Sequence, residues 1–315
     1  MRLSVVIAAY NAAATLASEL EALAAQDAPF AWEVVVSDNG STDRTADVAR
    51  AFVSRLPRLL VVDSSATRGP GGARNAGAAA ASGDVLAFCD ADDVVAPGWV
   101  AAMGEALRHD DIVTGTSRRR ELNSRPGDGQ FHEWSRYVMP FFPQLPVAGA
   151  GNMGVSAELF RLLDGFDPRL STGEDLDLCW RAQLLGRRLG HAREARVDVS
   201  NREGLRATYR QFRSYGAGNR LLIEKYRDVI AAYAGLPAWD ARAVAPVRDA
   251  ADGPPRGAAP ARFVSRVLRK ARSIRRPSDL THLVSRIGYA YGSRWGRSSV
   301  TVERLPVPEG GPLVP

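Results

Sequence analysis

Four short apolar segments, separated by segments with helical spacing, form the first part of the chain and restrict its fold more than any other feature. The apolar segments are rich in Val and Ile, which suits strands that are buried on both faces. They cover residues 3–9, 33–37, 59–62 and 85–89, and the helical segments between them cover residues 15–25, 42–53 and 73–81. This alternation predicts a parallel sheet with helices on both faces. Because ligands bind such sheets at the carboxyl ends of the strands, the residues that follow each strand are the candidates for a functional site.

Each of these predicted strands is followed by polar or flexible residues. After the first comes AAYN, whose Tyr10 can stack on a flat ligand, and after the second comes SDNGSTD, with Asp38 and Asp43 on either side of a turn. After the third comes RGPGGARNAG, where Arg74 lies near a helix start beside glycines, a suitable place to bind a phosphate. Asp43 is expected to cap the following helix or to fix the turn rather than to bind a ligand.

The fourth predicted strand is followed by DADD, which brings Asp90, Asp92 and Asp93 into one turn. Three carboxylates this close repel one another unless a cation lies among them. Oxygen ligands favour a hard divalent ion such as magnesium or manganese, which typically bridges phosphate oxygens. The alternative is a solvated acidic turn. The polar residues after the three neighbouring strands favour a metal-dependent nucleotide site.

These motifs, in this order, resemble those of the family 2 glycosyltransferases, which are inverting enzymes with the GT-A fold. The resemblance covers about residues 1–225 and includes VVIAAYN, VVVSDNGSTD, GGARNAG, DVLAFCDADD and GNMGVSAELFRLLDGFDPRLSTGEDLDLCWR. It implies an α/β chain with a Rossmann-like, mostly parallel sheet flanked by helices, followed here by a C-terminal helical extension.

The resemblance also implies roles for individual residues. Those expected to bind the nucleotide-sugar are Ala8, Tyr10, Asp38, Arg74, Asp90, Ala91 and Asp92. Asp92, with Asp90, would hold Mn²⁺ or Mg²⁺ in a DXD motif. Asp175 would be the catalytic base, with Glu174 shaping or hydrogen-bonding the acceptor end, and Gly151, Asn152 and Trp180 would contact the acceptor. The alternative for GEDLDLCWR is an acidic helix N-terminus whose apolar residues only pack.

These roles agree with the chemistry of sugar transfer. Displacing a nucleoside diphosphate needs charge compensation on the leaving group, and a base must take the acceptor hydroxyl's proton on the opposite face. We therefore expect an inverting enzyme that moves a sugar to a glycan or a lipid-linked acceptor in cell-envelope or polysaccharide biosynthesis. The alternatives are a nucleotidyltransferase, which AAYNAAAT disfavours, and a non-catalytic nucleotide-sugar-binding or scaffold protein recruited through its basic tail.

One departure from the family pattern concerns a histidine that many relatives have near VDVSNRE. Asn201 stands at about that point, which implies either a weak metal affinity or a diphosphate held by arginines such as Arg202 or Arg206. The nearest histidine, His191, is expected to be a surface or packing residue. The other histidines show no metal-ligand spacing.

The sequence divides into a catalytic unit and a C-terminal part. Residues 1–230 form the expected glycosyltransferase domain, with a nucleotide-sugar half over about 1–115 and an acceptor half over about 116–230. Residues 115–150 lack periodicity and are expected to form a long surface excursion or flap, whose aromatic residues contact a sugar or a lipid, or only pack. Residues 205–226 are expected to form a helix interrupted by GAG at 216–218, and residues 231–260 a linker rich in Pro, Ala and Gly.

Residues 261–315 are expected to form a basic helical extension and tail. The chain's net charge of +6 combines −6 over residues 1–200 with +12 over residues 201–315. Residues 262–276 form an amphipathic basic segment that can lie on an anionic membrane, dock on the catalytic domain or contact nucleic acid. We favour the membrane surface and expect no nucleic-acid partner; a second short helix is expected near residues 280–291.

The expected location is cytoplasmic, with peripheral attachment to the inner face of the cytoplasmic membrane. Two cysteines suit a reducing compartment, no secretory signal is recognised, and no run of about 18 apolar residues predicts a membrane-spanning helix.

Overall fold

The computed structural model describes residues 1–120, 131–200, 204–239, 277–295 and 301–308. Its strands are β1 Leu3–Ala9, β2 Trp32–Asp38, β3 Leu59–Asp63, β4 Val85–Asp90, β5 Val94–Val95, β6 Ile112–Arg120, β7 Phe131–Trp134, β8 Tyr137–Met139, β9 Phe142–Val147, β10 Asn152–Ser156 and β11 Leu189–Asp198. Its helices are α1 Leu16–Ala24, α2 Thr45–Arg50, α3 Pro70–Ala80, α4 Trp99–Ala106, α5 Ala157–Leu162, α6 Glu174–Leu184, α7 Leu205–Lys225, α8 Arg227–Tyr233 and α9 Pro277–Trp295.

The main sheet has nine strands in the order β3-β2-β1-β4-β10-β6-β11-β5, with β7 pairing to β6. Strands β3, β2, β1 and β4 are mutually parallel, and β6 is parallel to β11. Strand β10 runs antiparallel between β4 and β6, so β4 and β6 point the same way and end at the same edge. The predicted α/β architecture with a mostly parallel sheet is confirmed.

The sheet is covered on both faces, as the apolar strands predict. One apolar cluster packs α1 and α4 against the sheet through Leu16, Leu20, Trp99 and Met103. The other packs α5 and α6, the β8–β9 hairpin and α7 on the opposite face. The two clusters hold the strand ends in place from both sides.

The surface excursion predicted over residues 115–150 is wrong for the described part of that segment. Strand β6 continues to Arg120, β7 pairs with it, and β8 and β9 form a separate two-stranded hairpin. Phe142 and Val147 are fully buried, and the Phe142 ring lies 5.2 Å from that of Trp180. The prolines of β9 interrupt the sequence pattern from which a strand is predicted. They are tolerated because β8 and β9 form only a two-stranded hairpin, whose outer edges need no backbone N–H donor.

The interruption predicted at GAG is also wrong, because α7 continues through residues 216–218. A Cβ atom on Gly216 would lie 2.2 Å from the carbonyl oxygen of Tyr289, and one on Gly292 would lie 1.9 Å from that of Arg213. These glycines therefore allow α7 and α9 to pack backbone against backbone. Tyr289 Oη accepts a hydrogen bond of 2.9 Å from Asn219 Nδ2 across the same contact.

The predicted second C-terminal helix is confirmed, and it is longer than expected. Residues 231–233 of the predicted linker complete α8, whereas the rest of the linker beyond Trp239 and the basic segment 262–276 lie outside the described residues. Within the part of the chain that is described, no helix combines the length and apolar character that crossing a membrane requires.

Candidate functional site

The loops after β1 and β2 are joined by hydrogen bonds that leave Tyr10 facing solvent. The Asn11 backbone N–H donates to Ser41 Oγ at 2.9 Å, and Asn11 Oδ1 accepts from the Thr42 N–H at 2.8 Å. Asn11 adopts φ 49°, a left-handed conformation that asparagine tolerates better than most residues. The side chain of Tyr10 is 56% exposed at the carboxyl end of β1, where its ring can stack on a planar ligand.

Two further residues predicted to bind the nucleotide lie beside Tyr10. Ala8 pairs with Ser37 on one side and with Asp90 on the other, between the ends of β2 and β4. Asp38 Oδ1 accepts a 3.0 Å hydrogen bond from the Ser41 N–H, and its side chain is half-buried. The structure therefore brings Ala8, Tyr10 and Asp38 to the same edge of the main sheet.

Asp43 fixes the turn, as predicted. Its Oδ1 accepts from the Thr45 N–H at 3.0 Å, and its Oδ2 accepts from the Ala13 N–H at 3.1 Å. Both oxygens are engaged within the protein, so this carboxylate holds the β1 and β2 loops together.

Arg74 joins the acidic turn after β4 to the first residue of α6. Its Nη2 donates to Asp90 Oδ1 at 2.6 Å, and its Nη1 donates to Glu174 Oε1 at 2.8 Å. The residue is only 5% exposed, and its buried Nε–H has no hydrogen-bond partner. Residues 74, 90 and 174 are therefore neighbours in the fold, which their separation in sequence did not indicate.

The carboxylates of DADD have different surroundings. Asp90 is about one-third exposed and Asp92 half-buried, whereas Asp93 is buried and its Oδ1 accepts from the Ser200 N–H at 2.9 Å. Burial, reinforced by the charge of Asp90, raises the pKa of Asp93 to about 8. Ala91 packs its methyl group into the core, so only its backbone can face a ligand.

The acidic turn fits a divalent cation held jointly with a ligand. Among the described residues no group of three or more His, Cys, Asp and Glu side chains is arranged to hold a metal ion. A Cβ atom on Gly151 would lie 2.7 Å from Asp90 Oδ2, so glycine keeps space open beside that oxygen. Mg²⁺ and similar ions typically take one or two carboxylates and complete their coordination with phosphate and water oxygens. The donor set of Asp90 and Asp92 suits that arrangement.

Asp175 lies in the first turn of α6, where backbone groups orient its carboxylate. Its Oδ2 accepts from the Ala150 N–H at 3.2 Å, and its Oδ1 accepts from its neighbour Leu176 N–H at 2.9 Å. Burial raises the pKa of Asp175, and the positive charge of Arg74 opposes the rise. Burial and the charge of Asp175 raise the pKa of Glu174 to about 7. Burial thus raises the pKa of both neighbouring carboxyl groups.

Two of the predicted acceptor contacts are wrong. Trp180 is fully buried and its indole N–H donates to the Leu145 carbonyl oxygen at 3.2 Å. Asn152 is 2% exposed, accepts from Trp99 Nε1 at 2.9 Å and donates to the Ala195 carbonyl oxygen at 3.0 Å. Both side chains are used within the core, so neither can reach an acceptor. The helical spacing of Trp180 from Leu176 was the sequence signal for packing.

Tyr137, which the sequence suggested only as part of an aromatic flap, lies beside the base. Its strand partner Val147 precedes Gly149 and Ala150, the residues that line Asp175 Oδ2. Burial and the charge of Asp175 raise the pKa of the Tyr137 phenol well above its usual value.

Of the two arginines weighed as holders of the diphosphate, only Arg206 lies within the described residues, and it is exposed near the start of α7. Asn201 and Arg202 lie outside the described residues. His191 is half-buried, with its Nε2 3.1 Å from Thr116 Oγ1. Burial lowers the pKa of His191 to about 4, consistent with its predicted packing role.

Two models of known protein families match this chain. A family model described as "Glycosyl transferase family 2" matches residues 4–162, and one described as "Glycosyl transferase family group 2" matches residues 87–249.

Curated relatives are named as a polysaccharide biosynthesis protein and a glucosyltransferase. The chain is 32% identical over 216 residues to succinoglycan biosynthesis protein ExoO of Rhizobium meliloti, covering 63% of this chain and 60% of that protein. It is 44% identical over 102 residues to validoxylamine A glucosyltransferase of Streptomyces hygroscopicus subsp. limoneus, covering 32% of this chain and 22% of that protein. The chain thus spans less than two thirds of the length of these relatives.

Solved structures share the fold. Mannosyltransferase PcManGT from Pyrobaculum calidifontis, in complex with GDP-Man and Mn²⁺, matches with a TM-score of 0.61 and 20% identity, covering 94% of this chain and 87% of that chain. S. aureus TarS in complex with UDP-GlcNAc matches with a TM-score of 0.52 and 23% identity, covering 69% and 66%. At these identities the likeness establishes the fold alone.

Proposed function

The chain belongs to glycosyl transferase family 2, and from that premise we propose that it is an inverting glycosyltransferase. It moves a sugar from a nucleotide-diphosphate sugar to a hydroxyl of a glycan or a lipid-linked acceptor. The observation that carries the proposal is the Arg74 bridge, because it joins Asp90 of the acidic turn to Glu174 at the start of the base segment. One arginine therefore sets the distance between a donor site and a base.

The donor is held at the carboxyl ends of β1, β2 and β4. Tyr10 stacks on the base, and Asp38 accepts hydrogen bonds from the ribose hydroxyls, since both side chains reach solvent at that edge. The name of the succinoglycan relative supports a role in polysaccharide biosynthesis. We propose that this role is carried out at the cytoplasmic side of the cell envelope.

Asp90 and Asp92 would hold Mn²⁺ or Mg²⁺ at the acidic turn. When bound, the cation compensates the negative charge of the departing nucleoside diphosphate. The space beside Asp90 that Gly151 leaves open supports this assignment, as does the Mn²⁺ in the mannosyltransferase of the same fold.

Asp175 takes the proton of the acceptor hydroxyl as that oxygen attacks the anomeric carbon. The N–H groups of Ala150 and Leu176 orient the carboxylate, and burial raises its pKa so that it can take a proton effectively near neutral pH. A single displacement from the face opposite the leaving group inverts the anomeric configuration. Glu174, bonded to Arg74, holds the start of α6 in position for this step.

A binding screen of nucleoside diphosphates, with and without MnCl₂, tests the proposal. We expect one diphosphate to raise the melting temperature and its sugar conjugate to be hydrolysed slowly without acceptor in a Mn²⁺-dependent way, because specific binding stabilises the folded state. Asp92→Ala should lose both effects, whereas Asp47→Ala, an exposed residue of α2, should keep them. Diphosphate binding without any sugar release would indicate a non-catalytic binding protein, and no binding of any diphosphate would refute the proposal.

A further inference from the structure

Strand β6 extends well beyond the sheet edge at which the acidic turn lies. Cys89 of β4 pairs with Asn152 of β10, and Met153 pairs with Thr114 of β6, so Cys89 lies about level with Gly115. Arg119 is four residues further along β6, roughly 13 Å beyond that level at about 3.3 Å per residue. The extension is supported by β7 on one side and β11 on the other.

This extension stands next to the acidic turn. Strand β11 pairs with β6 as far as Asp198, opposite Arg118. Two residues later the Ser200 N–H donates to Asp93 Oδ1 at 2.9 Å. The same turn contains Asp90 and Asp92, so side chains on the β6 extension can reach a ligand held there.

The arginines of the extension differ in how they are used. Arg118 forms an ion pair with Asp198. Arg119 is exposed, stacks on Trp134 with its guanidinium carbon 5.3 Å from the ring centroid, and forms no ion pair with a residue in the described part of the chain. Its charge is nevertheless close enough to the turn to lower the pKa of Asp93, against the larger upward effect of burial.

Among the described residues no carboxylate pairs with this stacked guanidinium, which suits it to recognition of a phosphate. Arginine presents paired N–H donors that match phosphate oxygens, and stacking on an aromatic ring restricts its orientation before a ligand arrives. Less conformational entropy is then lost on binding. At this position the anion within reach is one bound at the acidic turn.

We propose that Arg119 binds the diphosphate of the nucleotide-sugar donor, reaching it from the β6 extension on the side opposite Arg74. The inference rests on the proposed function, since it requires a diphosphate at the acidic turn. It assigns to an arginine on β6 the contact that the sequence suggested for Arg202 or Arg206.

Calorimetry with a nucleoside diphosphate and the matching monophosphate tests this role. The base is the one that binds the wild-type protein most tightly among UDP, GDP and dTDP in MnCl₂. Arg119→Ala should weaken diphosphate binding about tenfold, the loss of one charge-assisted contact, and change monophosphate binding less than twofold. Arg119→Lys should recover only part of the loss, because lysine lacks the planar fork.

Arg196→Ala is the matched control, since Arg196 is exposed on β11 and pairs with Glu194. It should leave both affinities unchanged. Equal weakening of diphosphate and monophosphate, or no weakening of either, in Arg119→Ala would overturn the assignment while leaving the proposed function intact. If the wild-type protein binds none of the three diphosphates, the proposed function fails and this assignment with it.

Discussion

The nucleotide side and the base side of the site hold their charged groups in contrasting ways. On the nucleotide side, Tyr10 is exposed, and Asp38 and Asp43 accept hydrogen bonds from the backbone of short loops. On the base side, Glu174 is buried, and Asp175 is half-buried under the Gly149–Ala150 segment. The first arrangement leaves surfaces that a ligand can cover, whereas the second removes water from groups that must exchange protons.

Burial on the base side continues behind the residues proposed to act in catalysis. Lys225 is 4% exposed, and its Nζ lies 2.9 Å from Asp167 Oδ2 and 2.6 Å from Asp177 Oδ1. Tyr226 Oη donates to the same Asp177 oxygen at 2.9 Å. Asp177 is two residues after Asp175 on α6, so this network fixes the helix that carries the proposed base. The acidic turn thus lies at an open edge, whereas the proposed base depends on a packed, charged interior.

The largest effect is expected from Asp175→Asn, which should lower the rate of sugar transfer by about 10³- to 10⁴-fold through loss of general base catalysis. Nucleoside diphosphate affinity should stay within twofold, because the base side does not hold the donor. Initial rates and calorimetry measure the two quantities. Asp228→Asn, an exposed residue of α8, is the control. Transfer within tenfold of the wild-type rate would remove Asp175 from the base role.

Lys225→Met should lower the free energy of unfolding by about 3–5 kcal/mol, because it leaves Asp167 and Asp177 buried with reduced compensation. Arg227→Met, which removes an exposed ion pair with Glu224, should cost less than about 1 kcal/mol. Urea denaturation measures both. Equal losses of unfolding free energy in the two variants would show that the buried network around Lys225 stabilises the fold no more than an exposed ion pair does.

The midpoint of the pH dependence of kcat/KM should lie above the pKa of an ordinary carboxyl group. In the proposed mechanism the active form needs Asp175 ionised, and burial raises the pKa of Asp175. Activity is therefore expected to fall as pH decreases, with a midpoint above the pKa of an ordinary aspartate, about 3.9. Circular dichroism at each pH separates this loss from unfolding. A midpoint at or below about 3.9 would contradict the raised pKa.

The smallest effect is expected on the nucleotide side. Tyr10→Ala should weaken nucleoside diphosphate binding about tenfold, through loss of stacking on the base, without changing the urea midpoint, because its side chain is already exposed. Tyr291→Ala, an exposed residue of α9, should leave binding unchanged. A lower urea midpoint with unaltered diphosphate affinity in Tyr10→Ala would show that Tyr10 stabilises the fold and does not bind the nucleotide.

Much of the nucleotide half was predictable because its signals are local. The period of apolar residues indicated β1 to β4, and turn residues marked where Tyr10, Asp38 and Asp90 follow their strands. Residues 112–147 were not predictable in the same way. Strand β9 contains two prolines, and its burial depends on Trp180 and Tyr226, which are distant in sequence.

The amino-acid sequence by itself determined the order of strands and helices in the nucleotide half, the family motifs and which residue types stand at the strand ends. These follow from side-chain periodicity and turn chemistry, which act between residues near one another in the chain. Only the tertiary structure decided that Arg74 joins Asp90 to Glu174, that Asn152 and Trp180 serve the core, and that glycines in α7 and α9 bring those helices together. Such pairings depend on which elements pack face to face, and the buried polar groups then take whichever partners that packing brings within hydrogen-bonding distance.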